Sequence, residues 1–392
     1  MGAALGRVVV LASLVVASPA LAGDLEKTDP CPGKTGEQCS DMGLDAELGT
    51  DGQAIDLPKS VTLFRAACER NYMKGCAYLA DMLLDSKGTP PNDAEALSLY
   101  TRACDAKVAI GCLGVGLLYE RGQGVAQDDA KSFEWYTKAC KTGSQRGCVY
   151  AGDRLRDGEG TTQNVKAAVA AYTTACNKKE GIGCMRLGYQ HEVGKGVAKN
   201  VAKAVALYEK GCNYKDPSSC GYWADMFETG TGVPKNQARA LELNDRACNG
   251  NYYAGCAAAA ILLVRGEGGV TKDLARAVTL SELACSNKNG RGCHARGWIS
   301  ELKEAPGGKN MPVALRYFER GCELDHYEAC WAAGDLYQLG SGAPKDLQKA
   351  RALLEKGCNG KHQKACEILA TLPPAEANTF KKGNTGLGGA KK

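Results

Sequence analysis

The chain has 392 residues, a formal net charge of +5 and 24% charged residues. So small an excess of positive charge makes no case for nucleic-acid binding, and no segment approaches the roughly 18 uninterrupted apolar residues that a membrane-spanning helix needs. Twenty cysteines point to disulfides and an oxidising compartment, since a cytosol would keep them reduced.

Export is what the first residues predict. Arg7 supplies a positive flank, Val8 to Ala17 a short apolar stretch, and Ala20-Leu21-Ala22 an A-x-A cleavage site, so residues 1–22 read as a signal peptide and the mature chain is expected to start at Gly23. The protein is then secreted or periplasmic, with no membrane insertion. Residues 23–38 read as an N-terminal cap segment, because Pro30 and Pro32 leave no room for a helix before Cys31.

From there the cysteines set a metre. They fall in ten C-x7-C pairs, each expected to be a disulfide: Cys31 with Cys39, Cys68 with Cys76, Cys104 with Cys112, Cys140 with Cys148, Cys176 with Cys184, Cys212 with Cys220, Cys248 with Cys256, Cys285 with Cys293, Cys322 with Cys330 and Cys358 with Cys366. First members stand 36 or 37 residues apart throughout, so residues 39–372 read as a tandem array of nine repeats closed by a short capping helix. Aligned on the cysteines, the copies hold further positions constant. Four residues after the second Cys stands Gly or Ala, as in Gly43, Ala80, Gly116 and Gly152; eight before the first Cys stands Ala or Ser, as in Ala96, Ser132 and Ala168. These predict two small faces that let helices approach closely. Twelve before the first Cys stands Asp or Asn, from Asp56 and Asn92 to Asn310 and Asp346, the residue types that cap helix N-termini.

One repeat follows from these positions: a first helix from about Gly111 to Tyr119, a turn over Gly122 to Val125, and a second helix from Asp129 to Cys140. Six copies carry G-x-G at the turn, beginning with Gly122 and Gly124, where positive φ ends a helix. Residues eight apart in one helix lie about 12 Å apart, whereas a disulfide needs Cα atoms within about 7 Å. The chain must therefore reverse inside each C-x7-C, and the small residue before the second Cys, such as Gly75, Gly111 or Gly147, is the expected agent. Each disulfide then staples a second helix to the following first helix. In the eighth repeat Glu304-Ala305-Pro306-Gly307-Gly308 replaces G-x-G and predicts a different turn. Residues 373–392, rich in Gly, Pro and Lys, read as a disordered basic tail.

The unit G-C-x-x-x-G…G-x-G-V…D-x-x-K/R-A…Y-x-K-A-C, seen closely in Gly183 to Cys212, resembles the Sel-one-like repeat, a relative of the tetratricopeptide repeat, in its cysteine-rich form. It looks like the Hcp family of exported bacterial proteins, some of which are named β-lactamases because they bind and weakly hydrolyse penicillins. A mitochondrial intermembrane-space assembly factor shares the stapled repeat. The resemblance covers about residues 31 to 370 and implies an all-α, α/α superhelical solenoid.

Candidate chemistry is sparse. Zinc would gather four ligands on one centre, usually from C-x2-4-C, whereas here each pair sits a repeat away from the next, so no metal is expected. The G-x-G turns follow helices rather than strands, and no cofactor is expected either. A serine β-lactamase would converge S-x-x-K, S-D-N and K-T-G. Ser300 to Lys303 fits the first, and Lys34-Thr35-Gly36 and Lys141-Thr142-Gly143 fit the third, but S-D-N is absent and Ser300 occupies a packing position held elsewhere by Leu83, Tyr119 and Leu155. Catalytic residues are therefore left unassigned. His191 shares that packing position, His294 follows Cys293, and His326 and His362 sit in cysteine loops, which predicts structural or surface roles. Asp81, Asp153, Asp225 and Asp335, five residues after their second Cys, read as a solvated face.

The variable positions two and three after the second Cys, with Trp331 one after its own, carry anchor-type side chains: Tyr78, Tyr150, Arg186, Tyr222, Trp223 and Arg296. On the first helix, expected to line a concave surface, these predict a face for a protein or peptide partner, on a monomer. The alternative implied by the resemblance is a β-lactam-binding protein or weak β-lactamase, taking a β-lactam or a peptidoglycan-like small molecule.

Overall fold

Nine carboxylate or amide side chains begin nine helices. In the computed structural model, which describes residues 29–373, Asp56, Asn92, Asp128, Asn164, Asn200, Asn236, Asp273, Asn310 and Asp346 each accept a hydrogen bond from a first-turn backbone N–H. Each satisfies a donor that a helix start leaves unpaired. The expected signal peptide and most of the expected tail lie outside the described residues.

The chain divides into two compact units, one up to Gly114 and one from Val115. The first holds α1 (Gly36–Leu48), a short 3-10 turn (Thr50–Gly52), α2 (Leu57–Glu69), α3 (Met73–Leu84), α4 (Asp93–Asp105) and the start of α5 (Ala109–Arg121). The second continues through α6 (Asp129–Thr142), α7 (Gln145–Asp157), α8 (Val165–Asn177), α9 (Gly181–Val193), α10 (Val201–Asn213), α11 (Pro217–Thr229) and α12 (Gln237–Asn249). It ends with α13 (Tyr253–Arg265), α14 (Leu274–Ser286), α15 (Gly290–Glu301), α16 (Met311–Glu323), α17 (Tyr327–Leu339), α18 (Leu347–Asn359) and α19 (Gln363–Thr371). Among the described residues the fold is all-α, a run of helical hairpins as the repeat predicts, and no helix is long and apolar enough to cross a membrane.

All ten cysteine pairs are bonded in the expected pairing, from Cys31–Cys39 to Cys358–Cys366, with Cα atoms 4.4 to 5.8 Å apart. From Cys68–Cys76 onward, through Cys104–Cys112, Cys140–Cys148, Cys176–Cys184 and Cys248–Cys256, each joins the end of one helix to the start of the next. The reversal between them is made differently from the sequence expectation. Three residues after the first Cys, Asn71, Lys107, Gly143, Lys179, Lys215, Asn251, Lys288, Asp325 and Lys361 all take positive φ, and that left-handed residue turns the chain. The glycine before the second Cys serves close approach instead: a Cβ on Gly75 would lie 2.6 Å from the Cβ of Ala67, and one on Gly183 2.5 Å from that of Ala175. The G-x-G turns do behave as read, with positive φ at both glycines in all six copies. Gly307 and Gly308 take over that conformation in the eighth repeat.

In the hairpins whose first helix carries glycine at the small position, that glycine receives a large side chain of the second helix. Gly43 faces Phe64, Gly116 faces Tyr136, Gly152 faces Tyr172, Gly188 faces Tyr208 and Gly297 faces Phe318. These rings are buried, as are Ala96, Ala168 and the other small residues one turn before them. The recurring aspartates serve this layer rather than a purely solvated face. Asp81 accepts the Tyr100 hydroxyl and Asp153 the Tyr172 hydroxyl, the latter at 2.7 Å, while loss of water pushes the Asp225 carboxyl up to about 6.

Candidate functional site

In the second unit successive first helices pack directly on one another: α7 on α9, α9 on α11, α11 on α13, α13 on α15, α15 on α17 and α17 on α19. Second helices make no packing of that extent among themselves. The outward stripe of the first helices is therefore one continuous surface running from repeat to repeat.

A cleft of about 440 Å³ opens on this surface across α13, α15 and α17. On α15 it is lined by Arg291, His294, Trp298 and Glu301, spaced so as to fall on one helix face. Trp331 and Asp335 face them from α17, Arg265 stands at the α13 edge, and the buried ring of Phe318 forms the floor. Aromatic walls with a few charged groups are the composition of a recognition pocket.

The electrostatics are those of a partly dry site. Burial raises the Glu301 carboxyl, against the pull of Lys309 and with the push of neighbouring Asp335, and burial raises Asp335 as well. Burial lowers the His294 imidazole to about 4, opposed by the charge of Glu328 and helped by His326, Arg291 and His362. His326 is lowered by burial too, again against Glu328. The Trp331 ring stacks on His362 at 5.5 Å with Lys364 4.8 Å from its centroid, and its indole N–H is buried without a hydrogen-bond partner.

The seven residues singled out from the sequence are not brought together. Trp331 lines the cleft. Arg296 is turned aside, its guanidinium on Glu282 at 2.8 Å and on the Ser300 hydroxyl at 2.6 Å. Arg186 pairs with Asp153 at 3.2 Å, and Tyr222 stacks on Tyr208 at 5.3 Å. Tyr78 lies half-buried on Phe64 and Tyr150 on Tyr136. Trp223 is only 6% exposed, packed on Phe227 beneath Arg239, so it braces the surface rather than presenting a contact. The sequence reading missed Arg291, His294, Trp298 and Glu301. For His294 the signal was in the repeat alignment: the position after the second Cys holds Leu113, Val149 and Met185 elsewhere but His294 and Trp331 here.

Ser300 offers no free nucleophile. It is 3% exposed, and its hydroxyl donates to the Arg296 carbonyl at 3.0 Å. Thr35 of the first K-T-G caps α1, and Thr142 of the second bonds back to the Lys138 and Ala139 carbonyls. His191 is buried, its Nδ1 donating to the Ala198 carbonyl at 3.3 Å.

Seven segments of the chain, residues 74–108, 109–144, 181–213, 217–252, 254–289, 305–326 and 328–362, match the Sel1 repeat and together make up more than half of it. Among solved structures, a Sel1 repeat protein from Oxalobacter formigenes is 22% identical, with 87% of this chain and 95% of that one covered at a TM-score of 0.53. A protective antigen of uropathogenic Escherichia coli strains with an SLR fold is 21% identical over 86% of this chain and 79% of its own, at a TM-score of 0.46. Helicobacter pylori cysteine rich protein B is 30% identical, over 33% of this chain and 97% of its own, at a TM-score of 0.28. No curated protein matches the chain. The Oxalobacter likeness shows a shared fold.

Proposed function

The chain belongs to the Sel1 repeat family, and from that premise we propose an exported, disulfide-stapled scaffold that holds a protein or peptide segment in the cleft of α13, α15 and α17. Repeat scaffolds of this type serve protein interaction, and ten disulfides suit an oxidising, extracytoplasmic compartment. The signal-peptide reading of residues 1–22 supplies the route out. The observation that carries the proposal is the cleft itself. It falls on side chains that vary between repeats, while the constant positions of the same helices are spent on packing. Because first helices pack on one another more extensively than second helices do, the first-helix layer has the shorter path along the second unit, which supports binding on its concave side.

Of the seven residues chosen from the sequence, the proposal keeps Trp331 as an anchor and places Trp298 beside it. Tyr150, Arg186 and Tyr222 extend the same stripe along the second unit, Arg296 flanks it from its hold on Glu282 and Ser300, and Trp223 supports it from beneath. Tyr78 holds the equivalent register position in the first unit.

The test is affinity capture with the oxidised protein from an envelope extract, with a photo-crosslinker at Ala332 on the cleft wall. The expected result is a protein or peptide crosslinked from Ala332 whose affinity falls at least about 30-fold in a Trp298→Ala, Trp331→Ala double variant of unchanged helicity, the size of a hot-spot loss. Capture indifferent to both tryptophans would overturn the cleft as the site. A chromogenic cephalosporin in parallel reads the β-lactam alternative: turnover that tracks the protein would replace the scaffold reading with a hydrolase.

A further inference from the structure

The rim of the cleft brings three ligating side chains together from two helices. His294 follows Cys293 on α15, His326 stands at the N-cap position of α17, and Glu328 lies in the first turn of α17. Nδ1 of His294 is 4.0 Å from Oε2 of Glu328, and Nε2 of His326 is 3.8 Å from the same oxygen. All three ligand atoms lie within 4.8 Å of one another. Zinc binds imidazole nitrogen at about 2.0–2.1 Å and carboxylate oxygen at about 2.0–2.2 Å, so ligand atoms around a tetrahedral ion sit about 3.3 Å apart. Side-chain rotations would have to draw the triangle in by up to about 1.5 Å to reach that geometry.

We propose that His294, His326 and Glu328 form a three-ligand site for a divalent transition-metal ion of the Zn²⁺ type, with its fourth position open to the cleft. Two imidazoles and one carboxylate are a donor set for such ions rather than for Mg²⁺ or Ca²⁺, which take oxygen. The Nε2 of His326 is buried and has no hydrogen-bond partner, a cost that a bound cation would remove. The Glu328 carboxylate lies within 4.0 Å of both rings, beyond hydrogen-bond distance, so an ion between them would also gain a compensating charge. The backbone is held before any ion arrives. His326 and Glu328 lie inside the loop closed by Cys322–Cys330, and His294 adjoins the Cys285–Cys293 bond, so binding would order side chains rather than chain segments. The site does not depend on a partner occupying the cleft.

The experiment uses untagged, oxidised protein stripped with a chelator, titrated with ZnCl₂ by calorimetry and with Co²⁺ by visible absorption. One ion per chain is expected, with the absorption of tetrahedral cobalt. His326→Ala and Glu328→Gln should each weaken uptake by at least about tenfold, as loss of a coordinating or supporting group does. Both changes fall at positions outside the hydrophobic core, and far-UV circular dichroism checks that the fold is kept. His294 is left unaltered because its ring packs on Phe318 at 5.5 Å. Failure of the parent protein to take up either ion, or uptake unchanged in both variants, would overturn the assignment.

Discussion

From Cys68–Cys76 onward, only one Cβ fits between the residues that precede the two cysteines of a staple. Ala67 faces Gly75, Ala103 faces Gly111, Ala139 faces Gly147, Ala175 faces Gly183, Ala247 faces Gly255 and Ala284 faces Gly292. Where the second partner is larger the first has become glycine: Gly211 against Ser219, Gly321 against Ala329 and Gly357 against Ala365. The exchange is steric, because interiors have no slack for an extra methyl group. Gly183→Ala should therefore cost about 1–3 kcal/mol in urea unfolding, and adding Ala175→Gly should restore most of it. Two independent, additive losses would show that the pair is not sterically coupled. His191 acts at the same scale through its charge. Burial lowers its pKa, with Lys203 adding to the effect against the Ala198 hydrogen bond, so the unfolded chain binds a proton that the fold refuses. Stability is then lost as pH falls below the unfolded value of about 6.5, at up to about 1.4 kcal/mol per pH unit. A His191→Phe variant, carrying the ring that Phe227 supplies in another repeat, should lose less between neutral pH and pH ~5. Parallel stability curves for the two proteins would count against a neutral buried imidazole.

Among the elements, the junction from one hairpin to the next is the most constrained. It combines a left-handed residue, a disulfide and a close Ala–Gly contact within a few residues, or its Gly–Ser equivalent, as at Lys215, Cys212–Cys220 and Gly211 against Ser219. Replacing Cys212 and Cys220 together by Ala should cost about 2–3 kcal/mol, the chain-entropy value for so short a loop. Because each repeat packs chiefly on its neighbours, the loss of hydrogen-exchange protection should centre on α10 and α11 and fade with distance along the chain. Uniform loss along the second unit would show global rather than nearest-neighbour cooperativity. The helix starts are separate from this device. Each Asp or Asn cap acts on its own first turn, and the nine cap positions agree between sequence and structure because capping is a local interaction.

At the scale of the molecule, two kinds of information were legible to different degrees. The repeat, its hairpins, its caps, its G-x-G turns and its staples follow from spacing, because each rests on contacts within one unit or between adjacent units and is written again every 36 or 37 residues. The Ala–Gly exchange was also present in the letters, but it acquired meaning only once Gly183 was seen against Ala175. The cleft was not legible in advance. Arg296 stands three residues after its second Cys and Trp331 one after its own, and one folds back onto Glu282 and Ser300 while the other faces the cavity. Likewise His294 and His326, 32 residues apart in sequence, meet with their ring centroids 5.2 Å apart. Such meetings depend on how far each hairpin is rotated against the next, and that rotation is set by side-chain volumes summed over the interface. Periodicity accordingly dictated the architecture, since a repeated local rule leaves a repeated trace, whereas the binding surface was decided by packing between successive first helices, which leaves none.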